Sequence, residues 1–483
     1  MRLTRDLAEN LDALKERLGV GTTFDVLVRE IEVGGRDAAL VFVDGLVNDE
    51  STIEVMRFLL ELKREDIVPQ PVEKLVRRGI PYIEVTKAST VDEVIDQVLA
   101  GPMALLLHGQ DQAVILDMRQ YPVRSLAEPD LEKVTRGSRE GLVETVVFNT
   151  ALIRRRLRDP RLRFEMFSVG RITRSDVVLG YLEGVANPEL VAEIRRKLDS
   201  TDIGALTMGS QSLLELLVGQ RLNPLPLARL TERPDVVSAH LMEGHVVVLT
   251  DTSPTALVLP ANVWHFTQHA EEYFQNPVVG SYLRLVRFAA IGISLLLGPL
   301  WLLLATMDGK PPWLAFIGPR DEPAVPLWAQ FFMLEFGLDL IRMALIHTPA
   351  ALSTALGIVG AILLGELATT VGLFVPETVL YSAIGAIGYF ATPSLEFAFA
   401  VRLFRYFLFA LVAVWGTAGL LGGLAITALW FGFTRSFHVP YLYPLVPFDG
   451  KALARLLLRF PILHVGVRTA PKQHRRGPYP NQR

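Results

Sequence analysis

Residues 39–60, ALVFVDGLVNDESTIEVMRFLL, and residues 177–198, VVLGYLEGVANPELVAEIRRKL, follow one plan. In each, a short apolar run meets an acidic residue and a glycine, Asp44-Gly45 or Glu183-Gly184, and then a stretch whose apolar residues recur at helical spacing. An apolar run bounded by turn residues reads as a buried strand, and recurrence at three and four residues reads as an amphipathic helix. Downstream, residues 100–118, AGPMALLLHGQDQAVILDM, parallel 243–260, EGHVVVLTDTSPTALVLP, with Gly101 opposite Gly244. Each glycine is expected to end a helix and each pair of apolar runs to form a hairpin. Self-similarity of this kind predicts two tandem α/β subdomains built on the same unit.

Outward from the repeat, the pattern predicts strands at 24–33, 38–43, 103–108 and 113–118, with helices near 51–63 and 91–99. Leu3, Leu7, Leu11, Leu14 and Leu18 place an amphipathic helix at the N-terminus, expected to pack on its own domain. The charged stretch 128–157 reads as a solvated linker helix, because its RRRLRD end is too polar for a core; an acidic partner is the other reading of that run. Asp44, Glu183, His108 and Asp251 sit at strand ends and suit either a ligand site or local turn chemistry, in which a carboxylate accepts from nearby N–H groups.

The chain has 483 residues, 20% of them charged, a formal net charge of −3 and no cysteine. No dense basic patch with interleaved aromatics is present before the membrane half, so no nucleic-acid partner is expected. The lack of cysteine excludes a disulfide framework and thiolate metal sites. The opening MRLTRDLAEN has no apolar core of a signal peptide, so the first half is expected in the cytoplasm. Phosphate loops, zinc-protease motifs, nucleophile elbows and strand-linked G-x-G-x-x-G are all missing, so no catalytic residue, no enzyme and no cofactor is assigned. His265 and His269 share a helix face, but without a third ligand nearby they do not define a metal site.

Beyond Arg287 the charge-free stretches become as long as a bilayer is thick, which predicts an all-α transmembrane helix bundle. Residues 288–307 form the first expected span, with Pro299 inside it and Trp301, Trp313 and Trp328 suited to an interface belt. Glu335, Asp339 and Arg342 fall on one face of the apolar stretch 327–346. A charge at the bilayer centre costs about 3 kcal/mol, so this face must pair internally, meet another helix or line water. Thr348 and Pro349 start the next helix as N-cap and first residue. Ser353, Gly357, Ala361 and Gly365 then repeat every four residues, with Glu366 beside the last. Such a stripe serves close helix packing, or it lines a pore around a symmetry axis with Glu366 attracting cations. Residues 378–395 are interrupted by Gly385, Gly388 and Pro393, and residues 406–434 form the longest charge-free run, with Gly416, Gly419, Gly422 and Gly423 marking a helix contact. The tail beyond Arg435 is basic, which places it in the cytoplasm and requires an even number of crossings. The expected domains are an N-terminal helix 1–22, subdomains 23–127 and 161–282, a linker helix 128–160, a transmembrane domain 283–434 and a basic cytoplasmic tail 435–483.

The runs LRDPRLRFEMFSVGRITRSDVVLGYLEGVANPELVAEIRRKLDSTDIGAL, TERPDVVSAHLMEGHVVVLTDTSPTALVLP and HAEEYFQNPVVGSYLRLVRF resemble the A subunits of GerA-type spore germinant receptors. The resemblance covers about 149–450. It implies a protein of the inner spore membrane with a cytoplasmic two-subdomain region and a membrane domain that assembles as an oligomeric ion channel passing monovalent cations. It also implies work beside B and C subunits, the B subunit sensing the nutrient. The receptor pattern Asp-Gly-x-Pro reads Asp251-Thr252-Ser253-Pro254 here, which supports a branch apart from the standard nutrient receptors. The expected function is a membrane subunit of a germination complex, a homo-oligomer among lipids that forms or joins a cation channel; the alternative is a non-conducting scaffold that docks germination partners.

Overall fold

The computed structural model describes residues 1–80, 84–121, 129, 132–219, 222–314, 316–347, 357–360 and 362–460. They form two compact units, one from residues 1–219 and 228–260, the other from 222–227 and 261–460.

In the first unit the repeat is visible strand by strand. Helix α1 (Leu7–Leu18) precedes β1 (Val26–Val33), β2 (Arg36–Val43), α2 (Asp49–Glu61), β3 (Val85–Ala88), α3 (Val91–Ala100), β4 (Met103–Leu107) and β5 (Ala113–Leu116). After α4 (Val146–Arg156) the order recurs as β6 (Leu162–Val169), β7 (Ser175–Leu182), α5 (Pro188–Asp199), an added α6 (Gly209–Val218), β8 (Arg229–Thr231), α7 (Pro234–Glu243), β9 (Val246–Thr250) and β10 (Ala256–Leu259). The two sheets have equivalent orders, β1-β2-β4-β5-β3 and β6-β7-β9-β10-β8. Every pairing is antiparallel.

The glycines of the repeat do the same work in both copies. Gly45 and Gly184 take φ of 76° and 75° in the acidic turns, and Gly101 and Gly244 end α3 and α7 in the left-handed region, where a side chain would be strained. Alternation along β2 sends Ala39, Val41 and Val43 into a core with α1 and α3, while Ala38 and Leu40 join Val55 and Leu59 of α2 on the other face. The N-terminal helix thus packs on its own sheet.

Where a solvated linker helix was expected over 128–160, the α-helix among the described residues covers Val146–Arg156, and most of it is buried. Arg154, in the run read as too polar for a core, is 1% exposed. Its Nε and Nη2 donate to the two carboxylate oxygens of Asp25 at 2.9 and 3.0 Å, and Nη1 donates to the Leu162 carbonyl at 3.1 Å. A guanidinium tolerates burial when a carboxylate and carbonyls take its donors in fork geometry. Thr23 and Phe164 complete the join: Phe24 N–H donates to the Phe164 carbonyl and Phe164 N–H to Thr23 Oγ1.

The second unit is helical. Helix α8 (Pro277–Thr306) starts before the charge-free run, with Asn276 accepting from Val279 N–H as its cap, and contains Pro299. It is followed by α9 (Leu327–His347), the apolar stretch Gly357–Thr370 with a π-helical turn at Ile362–Leu367, α10 (Pro376–Phe390), α11 (Leu395–Phe433) and α12 (Gly450–Leu457). Among the described residues, α8 and α11 are long and apolar enough to cross a membrane.

Helix α11 is not one rod. Gly416 breaks it with φ 53° and ψ −126°. A Cβ on Gly423 would meet Leu408 and Leu411, and the Phe404 ring lies 6.1 Å from that of Trp430. Residues 395–415 and 417–433 are therefore antiparallel arms of a tight hairpin, and the single span expected at 406–434 is replaced by a turn at its middle. Gly419 and Gly423 do mark a close helix contact, made with the preceding arm. Trp301, expected in an interface belt, is 4% exposed and packs between Phe331 and Tyr381.

Candidate functional site

The charged face of α9 finds its partners on the first arm of α11. Glu335 is 1% exposed and accepts from Arg405 Nη2 at 2.6 Å, while Arg402 Nη2 lies 3.1 Å from the same oxygen and donates to the Glu335 backbone carbonyl at 2.6 Å. Asp339 pairs with Arg402 Nη1 at 2.9 Å and accepts from the Tyr406 hydroxyl at 3.2 Å. Arg405 also reaches α8, donating from Nη1 to the Ser294 carbonyl at 2.9 Å. Arg342 makes no ion pair with this set; its guanidinium lies over the rings of Phe399 and Tyr389, 4.1 and 4.8 Å from their centroids. Of the three options for this face, the structure realises internal pairing against another helix. That is the arrangement a low-dielectric surrounding demands, because an unpaired ion there is far costlier than a paired one.

Small residues make this close approach possible. A Cβ on Gly385 would lie 2.5 Å from Arg405 Nη1, and one on Gly388 would strike the Ala290 carbonyl of α8. Gly385 and Gly388 are thus places where α10 touches α11 and α8. Arg402 and Arg405 are absent from the sequence expectation, because the charge-free run begins just after them at Tyr406. Their spacing of three, matching acids four apart on α9, was the available signal.

The small-residue stripe falls only partly among the described residues: Gly357, Gly365 and Glu366 do, while Thr348, Pro349, Ser353 and Ala361 lie outside them. A Cβ on Gly357 or Gly365 would meet no atom within 4 Å, whereas one on Gly360, off the stripe, would clash with Ile341 of α9. Glu366 is exposed.

Two of the turn residues have local partners. Asp251 accepts from Val146 N–H at the start of α4, and Glu183 pairs with Arg163 at 2.7 Å. Burial pushes the Asp44 carboxyl above its ordinary range, and the charges of Asp49 and Asp25 act in the same direction against the Gly45 N–H. A cleft of about 710 Å³ opens between the edge strands, lined by residues of 20–28, Glu165, Met166, Phe167 and Arg195. In it Arg195 is already bound by Glu165, through Nε at 2.8 Å and Nη2 at 2.6 Å. His265 Nδ1 accepts from Asn262 N–H and His269 Nδ1 from Glu271 N–H, so both rings serve the local backbone. Among the described residues no three His, Asp or Glu side chains gather as a metal-binding set.

Over residues 12–470 the chain matches the family model described as Bacillus/Clostridium GerA spore germination protein. The chain belongs to the GerA spore germination family. It is 42% identical over 460 residues to stage V sporulation protein AF of Bacillus subtilis (strain 168), spanning 95% of this chain and 93% of that one. With spore germination protein GerLA of Bacillus cereus it shares 31% over 471 residues, 95% and 94% of the two chains. Among solved structures it is similar to the N-terminal domain of the A subunit of the Bacillus megaterium spore germinant receptor GerK3, at 26% identity and a TM-score of 0.41, over 53% of this chain and 96% of that one. Family membership, the long apolar helix α8 and the apolar run of α11 together make this a germination-related membrane protein. The departure from the receptor motif is also visible in its backbone: Thr252 has φ 67°, a left-handed conformation that glycine adopts freely and a β-branched residue does not.

Proposed function

We propose that this GerA-family chain contributes to an oligomeric channel that passes monovalent cations when a dormant spore germinates, with residues 352–367 along the path. In this reading it lies in the inner spore membrane, its first unit and its basic tail face the cytoplasm, and it works as a homo-oligomer beside other germination membrane proteins. The observation that carries the proposal is the open space beside Gly357 and Gly365. Small residues on a membrane helix let a neighbour come close, and among the described glycines of this stretch the close contact within one protomer belongs to Gly360. Gly357 and Gly365 leave room for a neighbouring copy or for a water-filled path, and Glu366 beside the latter supplies negative charge.

A second reading, a non-conducting scaffold, is supported by the closed pairing of Glu335 and Asp339 with Arg402 and Arg405, which leaves those charges fixed inside the unit. Ion flux from liposomes holding the purified full-length protein separates the two. Under the channel reading, cation flux is present, falls in Gly357→Leu and loses cation preference in Glu366→Gln. A well-folded oligomer without flux favours the scaffold.

A further inference from the structure

Residues 435–460, part of the basic tail expected from the sequence, fold back onto the helical unit. Ser436 Oγ donates to the Leu227 carbonyl, and Val263 N–H donates to the Tyr441 carbonyl. Helix α12 is fixed against the beginning of α8: Arg284 Nη1 donates to the Leu456 carbonyl at 2.7 Å, and Arg459 N–H donates to Ser281 Oγ at 2.9 Å. Arg284 is buried and held by Glu272 at 2.7 Å, and Arg287 pairs with the same carboxylate. A cation placed on the last carbonyls of a helix is favourable, so Arg284 both docks and caps α12.

This docking sets the depth of α12. The charge-free run of α8 begins at Phe288, so Arg284 and Ser281 stand about 6–10 Å beyond its edge at 1.5 Å per residue. That is the headgroup layer of a bilayer whose core α8 crosses. On the same turns of α8, Val278, Tyr282 and Leu285 are exposed along one stripe, as apolar and aromatic residues at an interface are.

The outward side of the docked segment has matching chemistry. Ala452 and Leu456 of α12 are buried, while Lys451, Arg455 and Leu458 face out at a spacing of four and three. Just ahead, Leu445, Val446, Pro447 and Phe448 form an exposed apolar tip, Phe448 at 75% exposure. Residues 441–460 carry three cations, Lys451, Arg455 and Arg459, against the single acid Asp449. Asp449 is occupied as the N-cap of α12, and Arg459 Nη2 is occupied by the Tyr273 carbonyl at 2.7 Å. Lys451 and Arg455 have no ion pair among the described residues. An exposed aromatic tip followed by unpaired cations, held at headgroup depth, is the composition that binds an acidic lipid surface.

We propose that the segment 441–460 is an interfacial docking surface for anionic phospholipid headgroups: Phe448 and its neighbours enter the headgroup–acyl boundary, and Lys451 and Arg455 bind the phosphates. The proposal rests on the membrane reading of α8 and is independent of channel activity.

The chain has no cysteine, so Phe448→Cys gives a single labelling site for a nitroxide in the full-length protein. Collision with oxygen and with a water-soluble nickel chelate is measured in phosphatidylcholine vesicles with and without phosphatidylglycerol. The expected result is protection from nickel that increases with phosphatidylglycerol. In Lys451→Gln/Arg455→Gln that dependence is lost, at about fivefold in lipid preference per cation removed, with thermal unfolding unchanged because both side chains face outward. A label open to nickel in both vesicle types overturns the proposal. So does protection that ignores both lipid charge and the two cations, since that result assigns the tip to a protein contact.

Discussion

Arg405 Nη2 on α11 lies 2.6 Å from Oε2 of Glu335 on α9, and both side chains are almost fully buried. Breaking such a pair from one side leaves an uncompensated ion, which costs about 3–5 kcal/mol, whereas replacing both with apolar residues of similar volume is close to neutral. Glu335→Met and Arg405→Met are each expected to lower the thermal midpoint of the detergent-purified protein sharply, and the double variant to recover most of the loss. Equal and additive losses would mean that the pair does not hold the helices together.

The buried fork between Arg154 and Asp25 performs the corresponding role in the first unit, joining α4 to the start of β1 and to the Leu162 carbonyl. Asp25→Asn keeps the shape and removes the charge, so about 3 kcal/mol or more of stability should be lost. Limited proteolysis of the full chain reads the consequence: cleavage between the two subdomains should accelerate in Asp25→Asn and return toward wild type in Asp25→Leu/Arg154→Met.

Why this fork was hidden in the sequence is a matter of partners. RRRLRD reads as a solvated run because a single arginine carries no mark of the carboxylate that will bury it, here one more than a hundred residues earlier. The repeat was legible because strands, acidic turns and capping glycines recur locally, and local chemistry needs no distant partner. Edge strands β3 and β8, four and three residues long, were not legible, being too short to show a period and held only by neighbours distant in sequence. In the membrane half, hydropathy marked the apolar runs, but the pairing of Glu335 with Arg405 and the turn at Gly416 depend on which helices meet. Composition does not carry that information.

Glu165 gives the first unit a defined acid sensitivity. Burial alone would raise its carboxyl, yet hydrogen bonds from Arg195 and Tyr181 and the charge of Arg195 outweigh it and hold the group below its ordinary 4.5. A depressed carboxylate contributes stability that is complete above the unfolded value and is lost as pH falls through the folded one. The thermal midpoint of the wild type should therefore exceed that of Glu165→Gln at neutral pH. The gap should close progressively below about pH 4.5. A gap that does not change with pH would assign the difference to packing.

At Thr252 the backbone favours another residue. A β-branched side chain at φ 67° is strained by roughly 1–2 kcal/mol, and glycine relieves this while adding some unfolded-state entropy. Thr252→Gly, which restores the Asp-Gly-x-Pro receptor pattern, should raise stability by up to about 1 kcal/mol in a thermal shift measurement. A loss of stability would show that the threonine side chain supplies a compensating contact.

The hairpin at Gly416 changes what the last apolar run can do, because two arms of 395–415 and 417–433 return the chain to the side from which it entered. On a straight helix, positions 404 and 430 would stand about 39 Å apart, whereas the rings of Phe404 and Trp430 are 6.1 Å apart. Spin labels on Phe404→Cys/Trp430→Cys in the cysteine-free background distinguish these directly. Strong short-range coupling is expected, and a distribution centred near the straight-helix distance would remove the hairpin. Gly423→Leu should abolish the coupling or the fold, since its side chain would occupy the space of Leu408 and Leu411. Gly422→Leu meets no atom within 4 Å and should leave the coupling intact, so that the pair of variants tests the packed face of the second arm against its open one.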